Sequence, residues 1–314
     1  MRVFVAGASG AIGRPLVRGL VAAGHEVTGL TRRADRGDEI GAAGAAPVVC
    51  DCFEAERLTE AVIAARPEVV VNELTSLPRD YNPLKLDQRL YAATNRVRGE
   101  GGGNLLASAK AAGARRFVTQ SVAFIYAPVG EMVRDEDAPS FDPARLPEPF
   151  AGGTRVLLDH ELAALETEGL QALVLRYGWF YGPGTYYASD GSIAALVRKR
   201  RFPLVSGSEG RFSFIHTDDA AAATVAACER GAQGIYNIVD DEPATIGEWL
   251  PAYAEALGAK RPWRLPGWIG RLFGGSAARM MTELRGASNA KAKGELGWEP
   301  RYPSWRQGFR EALG

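Results

Sequence analysis

Short runs of apolar residues alternate, over the first 177 residues, with stretches in which apolar positions recur every three or four residues. The short runs predict buried strands and the periodic stretches predict amphipathic helices, so their order indicates parallel β-α-β units with right-handed crossovers. The predicted strands cover residues 3–6, 25–30, 47–51, 69–72, 116–120 and 172–177. The predicted helices cover residues 14–23, 55–65, 86–112 and 155–168. We therefore expect an α/β fold with a doubly wound parallel sheet of the Rossmann type.

Beyond residue 177 the alternation weakens, and glycine, proline and aromatic residues become frequent. The pattern there predicts helices over residues 193–199, 218–230, 246–257 and 277–285, and one strand over residues 235–239. Because no repeat or low-complexity linker separates this part, we expect it to pack on the first part as a smaller lobe. The predicted domains are a dinucleotide-binding core over residues 1–177 and a substrate-binding lobe over residues 178–314, with some segments of the lobe returning to the core.

The first predicted strand runs directly into a glycine-rich loop, GASGAIG at residues 7–13, and then into a helix. Gly7 allows a sharp turn, Gly10 allows a diphosphate to approach the backbone, and Gly13 allows the helix to lie close to the sheet. The free N–H groups at the start of that helix attract anions. A tight turn without a ligand is the alternative. The loop residues expected to hold a dinucleotide are Gly7, Ser9, Gly10, Ala11, Ile12 and Gly13.

The end of the second predicted strand bears on which dinucleotide is preferred. A carboxylate there would bind the ribose diol of NAD, whereas cationic side chains would bind the 2′-phosphate of NADP. The chain has Thr31, Arg32 and Arg33 at this point and no competing acid, which favours NADP and leaves NAD open. Two solvated arginines that tolerate both dinucleotides are the alternative. Asp51, next to Cys52, is expected to accept a hydrogen bond from the adenine amino group or to cap the following helix.

The amino-acid composition gives no support for nucleic acid or a membrane surface as a binding partner. Lys plus Arg and Asp plus Glu both number 37, so the formal net charge is zero and nothing favours nucleic acid or an anionic membrane surface. The three cysteines suit neither a disulfide framework nor a metal site, and we interpret them as buried thiols of a reducing compartment. The first strand begins too early for a signal peptide and no apolar run reaches about 18 residues, so we expect a cytoplasmic protein.

Seven segments along the chain carry a family resemblance: GASGAIG at 7–13, PEVVVN at 67–72, RRFVTQS at 115–121, LRYGWFYGPG at 175–184, FIHTDD at 214–219, YNIV at 236–239 and ELGWEP at 295–300. On these segments the chain resembles the extended short-chain dehydrogenase/reductases, in their NAD(P)-dependent epimerase/dehydratase-like group, over essentially all of its 314 residues. The resemblance implies that Leu74, Thr75 and Ser121 line the nicotinamide side of the crevice. It also implies that the stretch containing Tyr177, Trp179 and Phe180 lies under the nicotinamide.

The same resemblance shows three departures around the expected active site. Enzymes of this group use a tyrosine and a lysine four residues later, which lie on one helical face and move a proton while hydride transfers. The corresponding positions here are Phe150 and Thr154, and no Tyr-x-x-x-Lys occurs between residues 121 and 176. Val122 stands where the family has a Ser or Thr that polarises the carbonyl, and Trp179 stands where it has a substrate-binding Asn. We therefore expect an atypical active site.

Apolar side chains in place of polar ones predict a site for an aromatic or lipid-like molecule, since such a pocket gains from buried area. A sugar diphosphate would lose about 1 to 3 kcal/mol for each polar group left unpaired there, which disfavours a nucleotide-sugar epimerase. Ordinary core packing under the lobe is the alternative. The residues expected to contact substrate are Val122, Phe124, Phe150, Trp179 and Arg211.

Few side chains in this region can move a proton. Tyr126 is expected to place its phenol at the mouth of the crevice, and Ser121 to offer a hydroxyl at the end of the fifth strand. Tyr126 and Ser121 are therefore the predicted catalytic residues. The alternatives are that Ser121 only caps a turn and that Tyr126 only packs beneath the lobe. His160 is a candidate donor if it points inward rather than being a solvated or satisfied helical residue. Asn95 either replaces the family's active-site Asn, whose position falls near Arg98, or faces water.

Together these observations predict an NADP(H)-dependent oxidoreductase that acts on a small, largely apolar carbonyl or alcohol. Proton transfer would fall to Tyr126, Ser121 or water. A non-catalytic NAD(P)-binding sensor or scaffold is one alternative, and a non-redox isomerase, dehydratase or cyclase that keeps the cofactor structurally is another. Related proteins dimerise through long helices, and residues 86–112 offer such a surface, so a homodimer is a further prediction.

Overall fold

The computed structural model describes residues 1–78, 88–205, 207–267 and 282–313. Its strands, numbered in chain order, are β1 (Arg2–Ala6), β2 (Glu26–Thr31), β3 (Ala46–Val49), β4 (Val69–Asn72), β5 (Arg116–Val122), β6 (Val133–Arg134), β7 (Gln171–Tyr177), β8 (Trp179–Tyr181), β9 (Leu204–Val205), β10 (Arg211–Phe212), β11 (Phe214–His216), β12 (Gly234–Ile238), β13 (Ala244–Thr245), β14 (Arg264–Leu265) and β15 (Gly286–Ala287).

The helices alternate with these strands in the first half of the chain. They are α1 (Gly13–Ala22), α2 (Gly37–Ala42), α3 (Ala55–Ala65), α4 (Gln88–Arg96), α5 (Gly102–Ala111), α6 (Phe150–Leu165), α7 (Ser192–Arg198), α8 (Thr217–Glu229), α9 (Ile246–Ala256), α10 (Ala290–Leu296) and α11 (Trp305–Leu313). A π-helical segment, Val97–Gly101, joins α4 to α5. Among the described residues, no helix combines the length and the apolar character needed to cross a membrane.

A seven-stranded sheet forms the centre of the molecule, in the order β12-β7-β5-β4-β1-β2-β3. All of its neighbouring strands are parallel. Because the chain winds outward in both directions from β1, the crevice at the carboxyl end of β1 is the switch point where ligands bind in such sheets. The predicted α/β fold with a doubly wound parallel sheet is confirmed.

The ends of several elements differ from the predicted ones for local reasons. β5 continues to Val122 because it stays paired with β7 as far as Tyr177. α6 begins at Phe150, earlier than predicted, and the carboxylate of Glu148 accepts the N–H of Gly152 at 3.2 Å in its first turn. Two glycines in this first turn have low helix propensity, which is why the sequence pattern places the start too late.

Two predicted helices fall partly outside the described residues. Residues 86–87 and 277–281 lie there, so those parts of the predictions are not described. Residues 88–111 are helical throughout, in agreement with the predicted long stretch, and the homodimer expected through it stays a prediction. The predicted helix 277–285 is wrong at its end, because Leu284 leaves the helical path and its carbonyl accepts the N–H of Arg211 at 3.0 Å.

Apolar side chains cover both faces of the central sheet. Val3, Val5 and Val71 face α1 and α8, whereas Phe4 and Val70 face α3 and α5. This alternation follows from the two-residue repeat of a strand, which sends successive side chains to opposite faces. Burial of these side chains on both faces fixes the strand ends, and therefore the crevice, in one geometry.

The second part of the chain has an aromatic core of its own. Trp249 is fully buried, and its ring centroid lies 5.5 Å from those of Phe212 and Phe214. β11 pairs in parallel with β8 and places Phe214 opposite Trp179. The lobe thereby holds β8 beside the carboxyl end of the sheet, where the candidate site lies.

Candidate functional site

The loop between β1 and α1 makes a turn that leaves no room for side chains at two points. Gly7 has a φ of +89°, and a Cβ atom added there would lie 2.5 Å from the carbonyl oxygen of Glu73. A Cβ atom at Gly13 would lie 2.1 Å from the carbonyl oxygen of Gly7. The Gly10 N–H donates to that same oxygen at 2.9 Å. The loop therefore requires glycine at both ends and is held by backbone contacts.

The start of α1 is open to an anion. Ile12 occupies the N-cap, no side chain of the described residues caps the helix, and its first turn contains no acidic residue. The first N–H groups of a helix have no partner within the helix and lie at its positive end. Gly184, after β8, approaches the same loop, since a Cβ atom added there would lie 3.8 Å from the Cβ of Ala11. These features fit the diphosphate of a dinucleotide.

The end of β2 carries the side chains predicted to select the dinucleotide. Thr31 is buried with its Oγ1 3.4 Å from Ser9 Oγ, and Arg32 is exposed. Arg33 donates through Nε to Asp35 Oδ1 at 2.9 Å. Arg33 is therefore paired with an acid two residues later, whereas no carboxylate occupies residues 31–33 at the end of β2 itself. The pair is exposed and contributes little to stability, so a phosphate can displace the carboxylate.

The turn after β3 contains the residues predicted beside the adenine. Asp51 accepts the N–H of Phe53 at 3.1 Å, so its carboxylate stabilises this turn, whereas Glu54 is the N-cap of α3. The alternative reading of Asp51 as a helix cap is thereby corrected. Cys52 is buried, and burial raises the pKa of its thiol to about 11. All three cysteines are free and buried, as predicted.

The ends of β4 and β5 form the part of the crevice where the resemblance places the nicotinamide. The N–H of Leu74 donates to Asn72 Oδ1 at 3.2 Å, and its carbonyl accepts Gln120 Nε2 at 2.9 Å, while Thr75 is exposed. Ser121 is 3% exposed, and its Oγ has no hydrogen-bond partner within the described ranges. A buried hydroxyl without a partner costs about 1 to 3 kcal/mol, so the Ser121 hydroxyl is a candidate for a hydrogen bond to a ligand.

Aromatic side chains line the adjoining surface. The rings of Phe124 and Trp179 stack with their centroids 4.3 Å apart, and Phe212 lies 5.8 Å from Trp179. Phe124, Trp179 and Val122 are half-buried. The indole Nε1 of Trp179 is buried with no partner in the part of the chain that the structure describes. The structure thus brings Phe124 and Trp179 together, as the predicted site for an aromatic or lipid-like molecule requires.

The two other residues predicted to contact substrate have protein partners. Phe150 lies at the start of α6, where its ring meets that of Tyr91 edge to face at 5.9 Å. Arg211, on β10, forms an ion pair with Glu248 at 3.1 Å. Thr154 follows Phe150 by four residues on α6 and is half-buried. The first two turns of α6 therefore carry a phenyl ring and a hydroxyl at the two positions that the resemblance aligns with the family's tyrosine and lysine.

Tyr126 does not reach the mouth of the crevice. It is 1% exposed, and its hydroxyl donates to Asn237 Oδ1 at 2.6 Å. The guanidinium of Arg176 lies 5.2 Å from its ring centroid and pairs with the buried carboxylate of Glu161 at 2.6 Å. Burial raises the pKa of the Tyr126 phenol, which makes it a weaker acid. The predicted position of Tyr126 is wrong because its side chain turns into the core and binds β12.

His160 and Asn95 are both directed into the protein. His160 Nε2 lies 3.2 Å from Asn72 Nδ2 and 3.0 Å from Thr119 Oγ1, and burial lowers its pKa. His160 is thus a buried residue whose Nε2 has hydrogen-bond partners in the core, which is the structural alternative to the predicted role as a proton donor. Asn95 Oδ1 is buried and would lie 3.7 Å from a Cβ atom added at Gly153, so this side chain faces α6 rather than water.

Arg98 is a functional candidate that sequence reasoning treated only as a landmark. It lies in the π-helical segment between α4 and α5, and such segments are frequent at functional sites. Its Nε is buried with no partner among the described residues, and burial lowers the pKa of the guanidinium to about 10. The signal in the sequence is the glycine run beside it. At Gly102 an added Cβ atom would lie 2.8 Å from His160 Cε1, so the run permits close packing on α6.

Glu73 is a second residue that sequence reasoning missed. It follows β4 directly, is 7% exposed, and has its Oε1 2.8 Å from the Tyr177 hydroxyl. That hydroxyl also lies 2.7 Å from Thr224 Oγ1. Burial raises the pKa of Glu73 to about 8. Tyr177, in the stretch that the resemblance places under the nicotinamide, is 1% exposed and belongs to this network. The only signal in the sequence is a charged residue directly after an apolar strand.

Comparison with known proteins places this site in context. Residues 3–239 match the model of the NAD dependent epimerase/dehydratase family. A 3-diazoavenalumate denitrifying reductase from a Streptomyces species is 47% identical over 313 residues, covering 98% of this chain and 99% of that protein. A 4-hydroxy-2-methyl-3-oxo-4-farnesyl-3,4-dihydroquinoline-1-oxide ketoreductase from Stigmatella aurantiaca is 28% identical over 265 residues, covering 83% of this chain and 74% of that protein.

Solved structures share the fold over the whole chain. The UDP-glucose 4-epimerase of Thermus thermophilus, in complex with NAD, has a TM-score of 0.74 at 25% identity and covers 100% of this chain and 98% of its own. A human epimerase family protein with NADPH has a TM-score of 0.74 at 23% identity and covers 100% of this chain and 99% of its own. One of these two proteins holds NAD and the other NADPH, so both dinucleotides occur on this fold.

Proposed function

The chain belongs to the NAD-dependent epimerase/dehydratase family, and on this premise we propose that it is an NADPH-dependent reductase that removes the diazo group from a largely aromatic substrate. That the protein is an oxidoreductase follows from the family and from the reductases among its relatives. NADPH, the diazo group and the aromatic character of the substrate are the proposal.

The observation that supports this reaction is that α6 contains neither a tyrosine nor a lysine. The resemblance aligns Phe150 and Thr154 with the family's tyrosine and lysine, and Tyr126 is buried against Asn237. A carbonyl group needs a proton on its oxygen as well as a hydride on its carbon, so its reduction is poorly served by this arrangement. A substrate that needs no proton from the protein fits it better.

A diazonium group is such a substrate. When bound, the reduced nicotinamide supplies the hydride for its reduction. In the net reaction the C–N bond breaks, dinitrogen leaves with the electron pair of that bond, and the hydride forms a C–H bond on the same carbon. A diazonium cation and a hydride together give a neutral product and dinitrogen, so charge balances without another proton. The relative that is 47% identical is a denitrifying reductase of a diazo compound, which supports the same class of substrate here.

Different residues of the crevice would bind the cofactor and the substrate. Backbone N–H groups of the 7–13 loop and the start of α1 would hold the diphosphate, and Arg32 the 2′-phosphate of NADPH. The stacked rings of Phe124 and Trp179 would bind the substrate ring and stabilise a cationic diazo group with their π faces. The Ser121 hydroxyl would orient the substrate by one hydrogen bond.

Reduction of a ketone is a second candidate. The unpartnered Ser121 hydroxyl can donate to a carbonyl oxygen, and a relative that is 28% identical is a ketoreductase. In that reaction water would have to supply the proton, because the family's tyrosine is absent from α6.

Steady-state oxidation of NADPH distinguishes the two candidates. We expect an arenediazonium carboxylic acid to be turned over at least about 100-fold faster than an aryl ketone of the same size, after subtraction of the rate without enzyme. Turnover of the ketone alone would favour the second candidate. Dinucleotide binding without turnover of either substrate would instead favour the sensor role.

A variant that restores the family's pair sharpens this test. In the double variant Phe150→Tyr with Thr154→Lys, ketone reduction should rise by about 10-fold or more, because a phenol and an ammonium then share one helical face. Diazo reduction should change by less than about twofold, since its chemistry takes no proton from the protein. A large gain in diazo reduction would contradict the proposed reaction.

A further inference from the structure

The carboxyl group of Glu73 lies directly beneath the glycine loop. Its backbone N–H donates to the carbonyl of Ala6 at 2.9 Å, and its Cβ would lie 3.2 Å from a Cβ atom added at Gly7. The side chain is directed to the α1 and α8 side of the sheet, where it meets Tyr177 of β7. A charged group at this point would lie under the loop that is expected to hold a diphosphate.

The hydrogen bonds of this cluster require a definite number of protons. Three contacts form a chain, which runs from Glu73 Oε1 to the Tyr177 hydroxyl at 2.8 Å, from there to Thr224 Oγ1 at 2.7 Å, and on to the Ala220 carbonyl at 2.7 Å. A carbonyl only accepts, so the Thr224 hydroxyl must donate its single proton to Ala220. With an ionised carboxylate the Tyr177 hydroxyl donates to Glu73 Oε1, and the 2.7 Å contact between Tyr177 and Thr224 is then left without a proton. All three contacts are hydrogen bonds at once only if Tyr177 donates to Thr224 and a protonated Glu73 carboxyl donates to Tyr177.

We propose that Glu73 is held as a neutral carboxylic acid beneath the glycine loop, and that the loss of its proton weakens binding of the dinucleotide. This inference rests on the proposed dinucleotide site. It makes Glu73 a positioning residue that acts through the loop, with no contact to the reacting atoms.

The surroundings of Glu73 agree with a neutral state. The titratable groups that face it are the Tyr177 phenol on β7 and the Cys228 thiol on α8, and the loop above it, GASGAIG, contributes none. Burial raises the pKa of Tyr177, and it raises that of Cys228 to about 12, so both are neutral and neither can compensate a carboxylate. Burial likewise raises the pKa of Glu73 to about 8. Above that pH the protein carries an unpaired negative charge where the diphosphate binds, and like charges repel.

Direct measurement of dinucleotide binding against pH tests the proposal. In the full-length protein we expect the calorimetric Kd for NADPH to rise about tenfold between about pH 7 and pH 9.5. The variant Glu73→Gln is the matched control, because its amide donates to Tyr177 as the acid does and stays neutral at every pH. Its Kd should stay within about twofold over the same range. Equal pH dependence in the two proteins would overturn the inference.

NADPH binding at neutral pH and infrared spectroscopy distinguish a failure of the proposed dinucleotide site from a failure of the proposed role of Glu73. Absence of NADPH binding to both proteins at about pH 7 would refute the proposed dinucleotide site itself rather than the role of Glu73. Infrared difference spectra of the wild-type protein minus Glu73→Gln should show the C=O band of one protonated carboxylic acid at neutral pH, and this band should be lost at high pH. If the wild-type protein lacks that band, Glu73 is ionised and the inference is wrong, whether or not the variant folds.

Discussion

The two ends of the crevice use different chemistry. The diphosphate end is built from backbone, with Gly7 and Gly13 in places where a Cβ atom would overlap a carbonyl oxygen. The proposed reaction end is built from side chains, among them Ser121, Phe124 and Trp179. A backbone site tolerates few residue types, because sterics decide it. A side-chain site can change its reaction through a few substitutions, so the first end identifies the cofactor class and the second end the chemistry.

The largest effect is expected from a side chain placed in the backbone-built end. Gly13→Ala should abolish measurable dinucleotide binding, because its Cβ would lie 2.1 Å from the carbonyl oxygen of Gly7. Gly103→Ala, on α5, is the control, since its Cβ meets no atom of the described residues within 4 Å. Calorimetry with NADPH measures both proteins. Normal affinity in Gly13→Ala would show that the loop does not determine binding.

A charge beneath the same end should affect folding as well as binding. Glu73 has a pKa of about 8 in the folded protein and about 4.3 in the unfolded chain, so between these values only the folded state holds the proton. The free energy of unfolding should therefore fall by about 1.4 kcal/mol per pH unit over that window because of this group. Glu73→Gln removes this loss and should be more stable by about 5 kcal/mol at about pH 8, relative to the difference at low pH.

Denaturant unfolding of both proteins at about pH 5 and pH 8 measures this difference. A constant difference between the two proteins at all pH values would contradict the raised pKa.

The variant Tyr126→Phe tests whether the buried phenol of Tyr126 takes part in the reaction. Tyr126→Phe removes its hydrogen bond to Asn237 and should lower the free energy of unfolding by about 1 to 3 kcal/mol. Turnover of a diazo substrate should change by less than about twofold, since the phenol is buried in the core. A loss of about 100-fold in kcat with unchanged stability would restore Tyr126 as the proton donor.

The smallest effect concerns the choice between the two dinucleotides. Arg32→Ala should raise the Kd for NADPH about fivefold and leave that for NADH unchanged, because only NADPH carries the 2′-phosphate. Arg33→Ala is the matched variant and should raise the Kd for NADPH about twofold, since Asp35 already binds its guanidinium. Equal changes for both dinucleotides in either variant would refute a phosphate contact.

The sequence predicts the backbone-built end well and the side-chain-built end only in part. Strand and helix periods and the glycine spacing determine the sheet and the loop, because these are local properties of the chain. The direction of Tyr126 and the network around Glu73 depend on contacts with Asn237 and Tyr177 respectively, each more than 100 residues away along the chain. The absence of a Tyr-x-x-x-Lys motif between residues 121 and 176 is visible in the sequence, but the position of the remaining hydroxyls is not.

The proposed reaction is reduction of a diazo group in this crevice without a proton from the protein. It is tested by mass-spectrometric detection of dinitrogen from a substrate labelled with nitrogen-15 in the diazo group, measured together with NADPH oxidation by the wild-type protein. We expect one mole of labelled dinitrogen for each mole of NADPH oxidised. Oxidation of NADPH without release of labelled dinitrogen, or release that does not depend on NADPH, would contradict it.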